Sequence, residues 1–219
     1  MFKLEELKRY QVHVVDQATE RITITDSMAE RHNVLIQTIM QKNGTPNQAV
    51  ATSIFMRRYG FFIAALLYLR AHNKMWDGPL DKIFLFPIDD SLSFQVEAHY
   101  MREAQEGDVA LIIKKYGKVV VDTMSEKGKI SKVTLWENIW GYVLWMYSQT
   151  NTKQATLDLD ELLKDRVWQP EMRKSMFAPF LRGRTVKEAQ IEFKRVTCCL
   201  YKELPTMDAC PYCPLHHSK

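Results

Sequence analysis

The segment Thr45-Pro46-Asn47-Gln48 and the apolar run behind it, AVATSIFMRRYGFFIAALLYLRAH, constrain the fold more than any other part of the chain. Thr45 reads as an N-cap, Pro46 as the first helical residue and Gln48 as the capping-box partner, so the pattern predicts a helix over 46–72. Between Arg58 and Arg70, the residues from Tyr59 to Leu69 carry no charge. That run is far short of the roughly 20 apolar residues that a bilayer crossing needs, so it reads as the central helix of a packed core rather than as a transmembrane segment. With 219 residues, 46% of them hydrophobic, the chain can bury such a helix within one domain.

The flanking segments give alternating signals. Residues 10–26, YQVHVVDQATERITITD, hold two β-rich pieces around a polar centre and read as a hairpin, after which Ser27 opens an amphipathic stretch to about Met40. IFLFPIDDSLSFQVEAHYM reads as partly extended, split at Pro87. VALIIKKYGKVVVDT places two β-branched runs around Lys115-Tyr116-Gly117-Lys118 and reads as a hairpin with glycine in its turn. Thr134 with Glu137 forms a capping-box pattern ahead of the helix LWENIWGYVLWMYSQ, whose Trp136, Trp140 and Trp145 read as core aromatics. Asp158 reads as the cap of a short helix to about Lys164, and Thr185 with Glu188 as a further capping box whose helix delivers the chain to Cys198. The sum is an α+β, mainly helical single domain over residues 1–219, with one or two small β-hairpins and a C-terminal cysteine cluster.

The formal charge of +4 favours anionic partners through long-range attraction. No block of Lys and Arg stands out and no basic stripe alternates with aromatics, so nucleic acid is not the expected partner. Residues 1–17 carry Glu5, Glu6 and Asp16 and lack an apolar stretch followed by small residues, so they do not read as a secretory signal. The expected location is the cytoplasm, with peripheral attachment at the inner face of the cell membrane as a variant of it. No Gly-rich phosphate loop is present, which disfavours ATP chemistry.

All four cysteines, Cys198, Cys199, Cys210 and Cys213, fall within CCLYKELPTMDACPYC at 198–213. Structural disulfides fit a reducing cytoplasm badly, and a bond between neighbours would strain the backbone. A zinc ion usually takes two CxxC-like knuckles, whereas here only Cys210-Pro211-Tyr212-Cys213 is one, and the Cβ atoms of an adjacent pair diverge. An iron-sulfur cluster also takes four thiolates and spreads their attachment points over a larger target. These readings stay open on spacing alone, with a zinc-stabilised or metal-sensing module that binds a partner protein as the alternative to an enzyme.

The CC-x10-C-x2-C pattern, with Arg195-Val196-Thr197 before the pair, Leu200-Tyr201 after it and Pro214 closing the knuckle, resembles the C-terminal signature of the FhuF-type ferric siderophore reductases. The resemblance is close over about the last 25 residues. Upstream, AVATSIFMRRYG and LWENIW look like helical segments of that family, in which the second often reads Trp-Gly-Asn; Glu137 stands at the glycine position. The resemblance implies that Cys198, Cys199, Cys210 and Cys213 ligate a [2Fe-2S] cluster in a C-terminal iron-sulfur-binding segment, 198–213. It also implies one-electron reduction of siderophore-bound iron(III) and release of iron(II).

Further expectations follow from it. An external electron donor such as a ferredoxin, flavodoxin or flavin reductase is implied, because the chain shows no nucleotide or flavin site of its own. Pro211 and Pro214 follow ligand cysteines and have no N–H, which withholds two donors from cluster sulfur and leans toward a low potential. A cluster is expected near the surface, since the segment after Cys213, PLHHSK, is polar and His216 and His217 read as a solvated tail. Arg57 and Arg58 on the central helix, or Lys114 and Lys115 beside the expected hairpin turn, are the candidate attractors of an anionic ferric siderophore.

Overall fold

The computed structural model describes residues 3–19, 22–88, 91–205 and 207–217. A 3₁₀ turn, Leu4–Tyr10, leads into strand β1 (Val12–Val15), the short helix α1 (Ile24–Met28), then α2 (His32–Asn43) and α3 (Gln48–Ala71). Strands β2 (Lys74–Trp76), β3 (Ile83–Ile88), β4 (Ser91–Glu97) and β5 (Met101–Glu103) follow. The helical remainder comprises α4 (Asp108–Leu111), a π-helical run Ile112–Lys118, α5 (Val119–Gly128), α6 (Lys132–Ser148), α7 (Lys153–Leu162), α8 (Asp165–Trp168) and α9 (Val186–Ile191). The architecture is therefore α+β and mainly helical, as the sequence pattern predicts.

Helix α3 is the axis of the structure. Asn47, not Thr45, caps it by accepting from the Val50 N–H at 3.1 Å, so the helix starts two residues later than Pro46 suggests. Phe55, Met56, Tyr59, Phe62, Ile63 and Leu67 are all fully buried, and fully burying each such side chain contributes about 1.5–3 kcal/mol. By length and composition alone α3 could cross a bilayer, yet 78% of its most apolar window is covered by the rest of the protein. On one side, Tyr59 and Phe62 pack on Phe94 of β4 with ring centroids 5.8 and 5.4 Å away. On another side α6 comes so close that a Cβ added to Gly60 would lie 3.0 Å from the Asn138 carbonyl oxygen and 3.2 Å from the Ile139 Cα.

Two small sheets flank this axis among the described residues. β4 is central to the first, antiparallel to β3 and parallel to β1 in the order β1-β4-β3; β2 and β5 pair antiparallel in the second. The hairpin expected over 10–26 does not form. β1 pairs instead with β4, Val12 opposite Phe94, and the second β-rich piece turns into α1 under a capping box in which Thr23 and Asp26 exchange bonds. The hairpin that does form is β3 with β4, in the stretch read as partly extended; residues 89 and 90 between them lie outside the described residues.

VALIIKKYGKVVVDT, read as a hairpin, is instead one helical run through α4, the π-helical segment and α5. Ile112, Ile113, Tyr116, Val120, Val121 and Met124 are fully buried along one face of it. Core packing outweighs the strand preference of its valines. Gly117 is there for close approach rather than for a turn, since a Cβ would sit 2.7 Å from the Trp136 ring. The π-helical turn is tied into the core from both sides: the Tyr116 carbonyl accepts from the Tyr59 hydroxyl at 3.0 Å, and the Tyr116 hydroxyl donates to the Gly78 carbonyl at 2.6 Å.

Caps differ from the sequence expectation elsewhere too. Ser131, not Thr134, caps α6, and Thr152 caps α7, leaving Asp158 inside that helix. Thr185 and Glu188 do form the expected capping box, but α9 ends at Ile191 rather than continuing to Cys198. Trp136 and Trp140 are buried with Trp168 and Phe177, while Trp145 is 41% exposed.

The close approach of α3 to α6 is testable. Gly60→Ala pushes a methyl group against backbone atoms, and we expect a loss of about 1–3 kcal/mol from overpacking. Urea unfolding measures it, and an unchanged midpoint would show that the helices can separate freely.

Candidate metal centre

The chain leaves α9 without regular structure and reaches Cys198 in an irregular segment. Leu200 takes a left-handed conformation, φ 62°, so the backbone reverses directly after the adjacent pair. Ten residues on, the Cys213 N–H donates to the Cys210 carbonyl at 2.9 Å and closes the knuckle. These two turns bring all four thiols into one cluster, packed with Tyr201, Ala209 and Tyr212. Cys199, Cys210 and Cys213 are buried and Cys198 is half-buried at the edge, with no disulfide among them.

A buried polar chain holds this irregular segment against α3 and α6. Glu137 of α6, fully buried, accepts from the Val196 N–H, from the Thr197 N–H at 2.7 Å and from the Thr197 hydroxyl. Arg195 lies 3.4 Å from the same carboxylate, donates to Asn138 Oδ1 at 2.8 Å and to the Thr197 carbonyl at 3.0 Å. Asn138 Nδ2 donates to Ser53 Oγ at 2.9 Å, and Ser53 Oγ donates to the Cys199 carbonyl at 2.6 Å. The Arg195 N–H meets the Tyr212 carbonyl at 3.1 Å, which ties the pair to the knuckle. Each buried charge and amide in this chain has partners, the condition under which burying them is tolerated.

The electrostatics favour the neutral thiol at Cys210 and Cys198. Burial pushes Cys210 up to about 12, and the neighbouring Cys199, by charge and hydrogen bond, and then Cys213 add to it. Burial also raises Cys198, against the opposing Leu200 N–H, with Cys213 and Cys199 adding to the rise. Among the described residues, the Leu200 N–H donates to Cys198 Sγ at 3.4 Å and Arg57 Nη1 to Cys199 Sγ at 3.7 Å. Burial opposes the Arg57 charge, but Tyr142, followed by Cys199 and Tyr212, outweighs it and holds the guanidinium pKa above its usual value.

Among the described residues no group of His, Cys, Asp or Glu is arranged as a ready-made metal-ion site. The four cysteines pack in one cluster and a guanidinium stands beside one sulfur. Four thiolates are the donor type that an iron-sulfur cluster takes. Cys198, Cys199, Cys210 and Cys213 would hold it.

Of the residues proposed to attract an anion, only Arg57 meets the cysteines; its guanidinium also lies 4.4 Å over the Tyr201 ring. Arg58, one position on, lines a separate cleft of about 250 Å³ beside Arg31 and Lys42. Lys114 and Lys115 lie on the π-helical run, not at a hairpin turn, and are held in ion pairs with Glu171 at 2.8 Å and Asp77 at 3.0 Å. The side chains of His216 and His217 lie outside the described residues. Sequence reasoning quoted the stretches that hold Ser53, Glu137, Asn138 and Arg195 but gave none of the four a place at the cysteine site. A signal existed for one of them, since Glu137 is an acidic residue in the middle of an otherwise apolar helix face.

Compared with models of known protein families the chain gives no match, and it gives none with curated proteins.

Two outcomes follow from this geometry. Glu137→Gln removes the charge facing Arg195 and sets an amide against N–H donors, so stability falls by about 3–5 kcal/mol; Thr197→Val, which loses one hydroxyl bond, costs about 1 kcal/mol. Equal unfolding midpoints for wild type and Glu137→Gln would refute the clamp. In metal-free folded protein at pH 8, Cys210 reacts with iodoacetamide at least about 100-fold more slowly than in urea, because the thiolate is the nucleophile and an unperturbed thiol titrates near 8.5. Peptide mapping of the label decides this, and equal rates would mean that the thiol is not shielded.

Proposed function

We propose that the protein is a ferric siderophore reductase whose Cys198, Cys199, Cys210 and Cys213 hold a [2Fe-2S] cluster. The observation that carries the reading is the convergence of these thiols from a spacing that resembles the FhuF-type signature, supported by a dedicated polar clamp on the segment that bears them. When bound, the cluster supplies one-electron transfer to the iron(III) of a siderophore substrate, after which the chelator, built for the ferric ion, gives up iron(II).

The protein's own groups set the conditions for that transfer. Arg57 and the Leu200 N–H place positive charge against sulfur, which favours the more negative, reduced state. Pro211 and Pro214 offer no N–H after their cysteines, which works the other way. Each 59 mV or so changes a one-electron equilibrium about tenfold, so the balance of these donors decides which ferric chelates fall within reach. Cys198, the half-buried member of the four, is the edge that an electron donor or a chelate can approach. The external donor belongs to the class of ferredoxins, flavodoxins or flavin reductases, and the cytoplasm is the proposed site of action.

Protein purified without oxygen should contain iron and acid-labile sulfide with a visible absorption spectrum, and serine at any of the four cysteines should lower or abolish both. Stopped-flow mixing of the reduced protein with ferric siderophores and a ferrous trap should show one electron passed per cluster. The rate should fall with salt for anionic chelates only. Colourless protein with one zinc would establish the partner-binding module instead, and a cluster that stays reduced with every chelate of higher potential would remove the reductase reading.

A further inference from the structure

Beside the cysteine segment, between α3, α6 and the chain that runs from α9 to the knuckle, lies a half-open cavity of about 380 Å³, within the range of small-molecule sites. Its walls are unusually aromatic. Phe61 and Tyr142 form one ring pair with centroids 4.0 Å apart, and Phe193 and Tyr212 form another at 5.2 Å. Trp145, 41% exposed, stands at the same cavity, and its exposure leaves ring surface for a ligand to cover. Flat faces of this kind favour a planar aromatic guest in offset-stacked or edge-to-face contact.

The charge of the lining is one-sided. It contains no Asp or Glu, and its charged members are Arg57 and Arg195. Arg195 is already engaged with Glu137, Asn138 and Thr197. Arg57 has no carboxylate within ion-pair distance among the described residues; its contacts are a thiol, the face of Tyr201 and Tyr142. A guanidinium carries five N–H donors in a fork that matches a carboxylate. Arg57 is half-buried at the cavity, and a carboxylate reaching it there would form a charge-assisted hydrogen bond.

We propose that this cavity is a binding site for a small planar aromatic carboxylate of one or two rings, stacked among Phe61, Tyr142, Trp145 and Phe193 with its carboxylate on Arg57. The site requires no metal and stands apart from the reductase reading. The aromatic faces supply affinity, and Arg57 supplies selection for the anion. Because Arg57 also donates to Cys199 Sγ, a bound carboxylate would draw on the same group that faces the cysteines.

Isothermal titration of the full chain, as purified and with its metal content measured, tests this with 2-naphthoate and its uncharged isostere 2-naphthamide. Saturable one-to-one binding of the carboxylate is expected, with the amide at least about tenfold weaker, the range of one charge-assisted hydrogen bond. Arg57→Gln should remove that preference, weakening 2-naphthoate about tenfold and leaving 2-naphthamide within about twofold. Trp145→Ala, a change at a 41% exposed ring that is not among the groups packed on the cysteines, should weaken both ligands by threefold or more, on the scale of one stacking contact. Absence of saturable binding up to about 5 mM, equal affinity for acid and amide, or unchanged binding in Trp145→Ala would each overturn the proposal. If Arg57→Gln unfolds, the acid-to-amide comparison on wild type and the Trp145→Ala result decide it. Loss of the reductase activity or of the cluster would leave these binding results intact, so the two readings fail separately.

Discussion

A short line of buried polar groups, Ser53 to Asn138 to Arg195 to Glu137, is the constraint on which the rest of the arrangement depends. It lies beside a close approach of α3 and α6, which Gly60, seven residues along from Ser53, permits by lacking a side chain. In a low-dielectric interior such a line is tolerable only when every member is satisfied, because one missing partner leaves a charge or an amide stranded. Here the last partners are backbone groups of Val196, Thr197 and Cys199. The irregular cysteine segment therefore completes the hydrogen bonding of the helical core, and the core in turn gives that segment a fixed place with no more regular structure of its own than the 3₁₀ turn Tyr201–Glu203.

How much of this was legible depends on the kind of signal. The central helix could be read because an uncharged run between two arginines has few other places to go, and the Thr185–Glu188 capping box because its two bonds are local. Residues 108–128 misled because valine-rich runs around Lys-Tyr-Gly-Lys look like a hairpin. The buried positions 112, 113, 116, 120, 121 and 124 nevertheless repeat at helical spacing, and a glycine that fits a turn equally fits a tight approach to Trp136. Thr134 and Asp158 looked like caps because cap chemistry is common; their helices had better ones at Ser131 and Thr152. For the site, the cysteines were legible as a group from exclusive clustering, whereas Ser53, Asn138 and Arg195 act over separations of 57 residues or more and leave no local trace.

The chemistry around the thiols is uneven in a way that spacing could not reveal. The adjacent pair receives an N–H from Leu200 and a guanidinium from Arg57, while each knuckle cysteine is followed by a proline that can give nothing. Arg57 is the most connected of the four cations first considered, because it alone touches the cysteines, an aromatic ring and the neighbouring cavity. Lys114 and Lys115 show the opposite outcome, with positive charge consumed in holding the π-helical run to its surroundings.

The cysteine segment is fastened to α3 and α6 by side-chain hydrogen bonds and within itself by short turn bonds and the Arg195–Tyr212 backbone bond, so its local opening would have to break these. Proteins open in such cooperative pieces at free energies below that of global unfolding. Detachment here would uncover the four thiols together with their backbone. It would also strand Glu137 and Arg195 facing each other without their other partners, a strong bias back toward closure. The clamp thus biases the segment toward its seated position through the same groups that shape the resting fold.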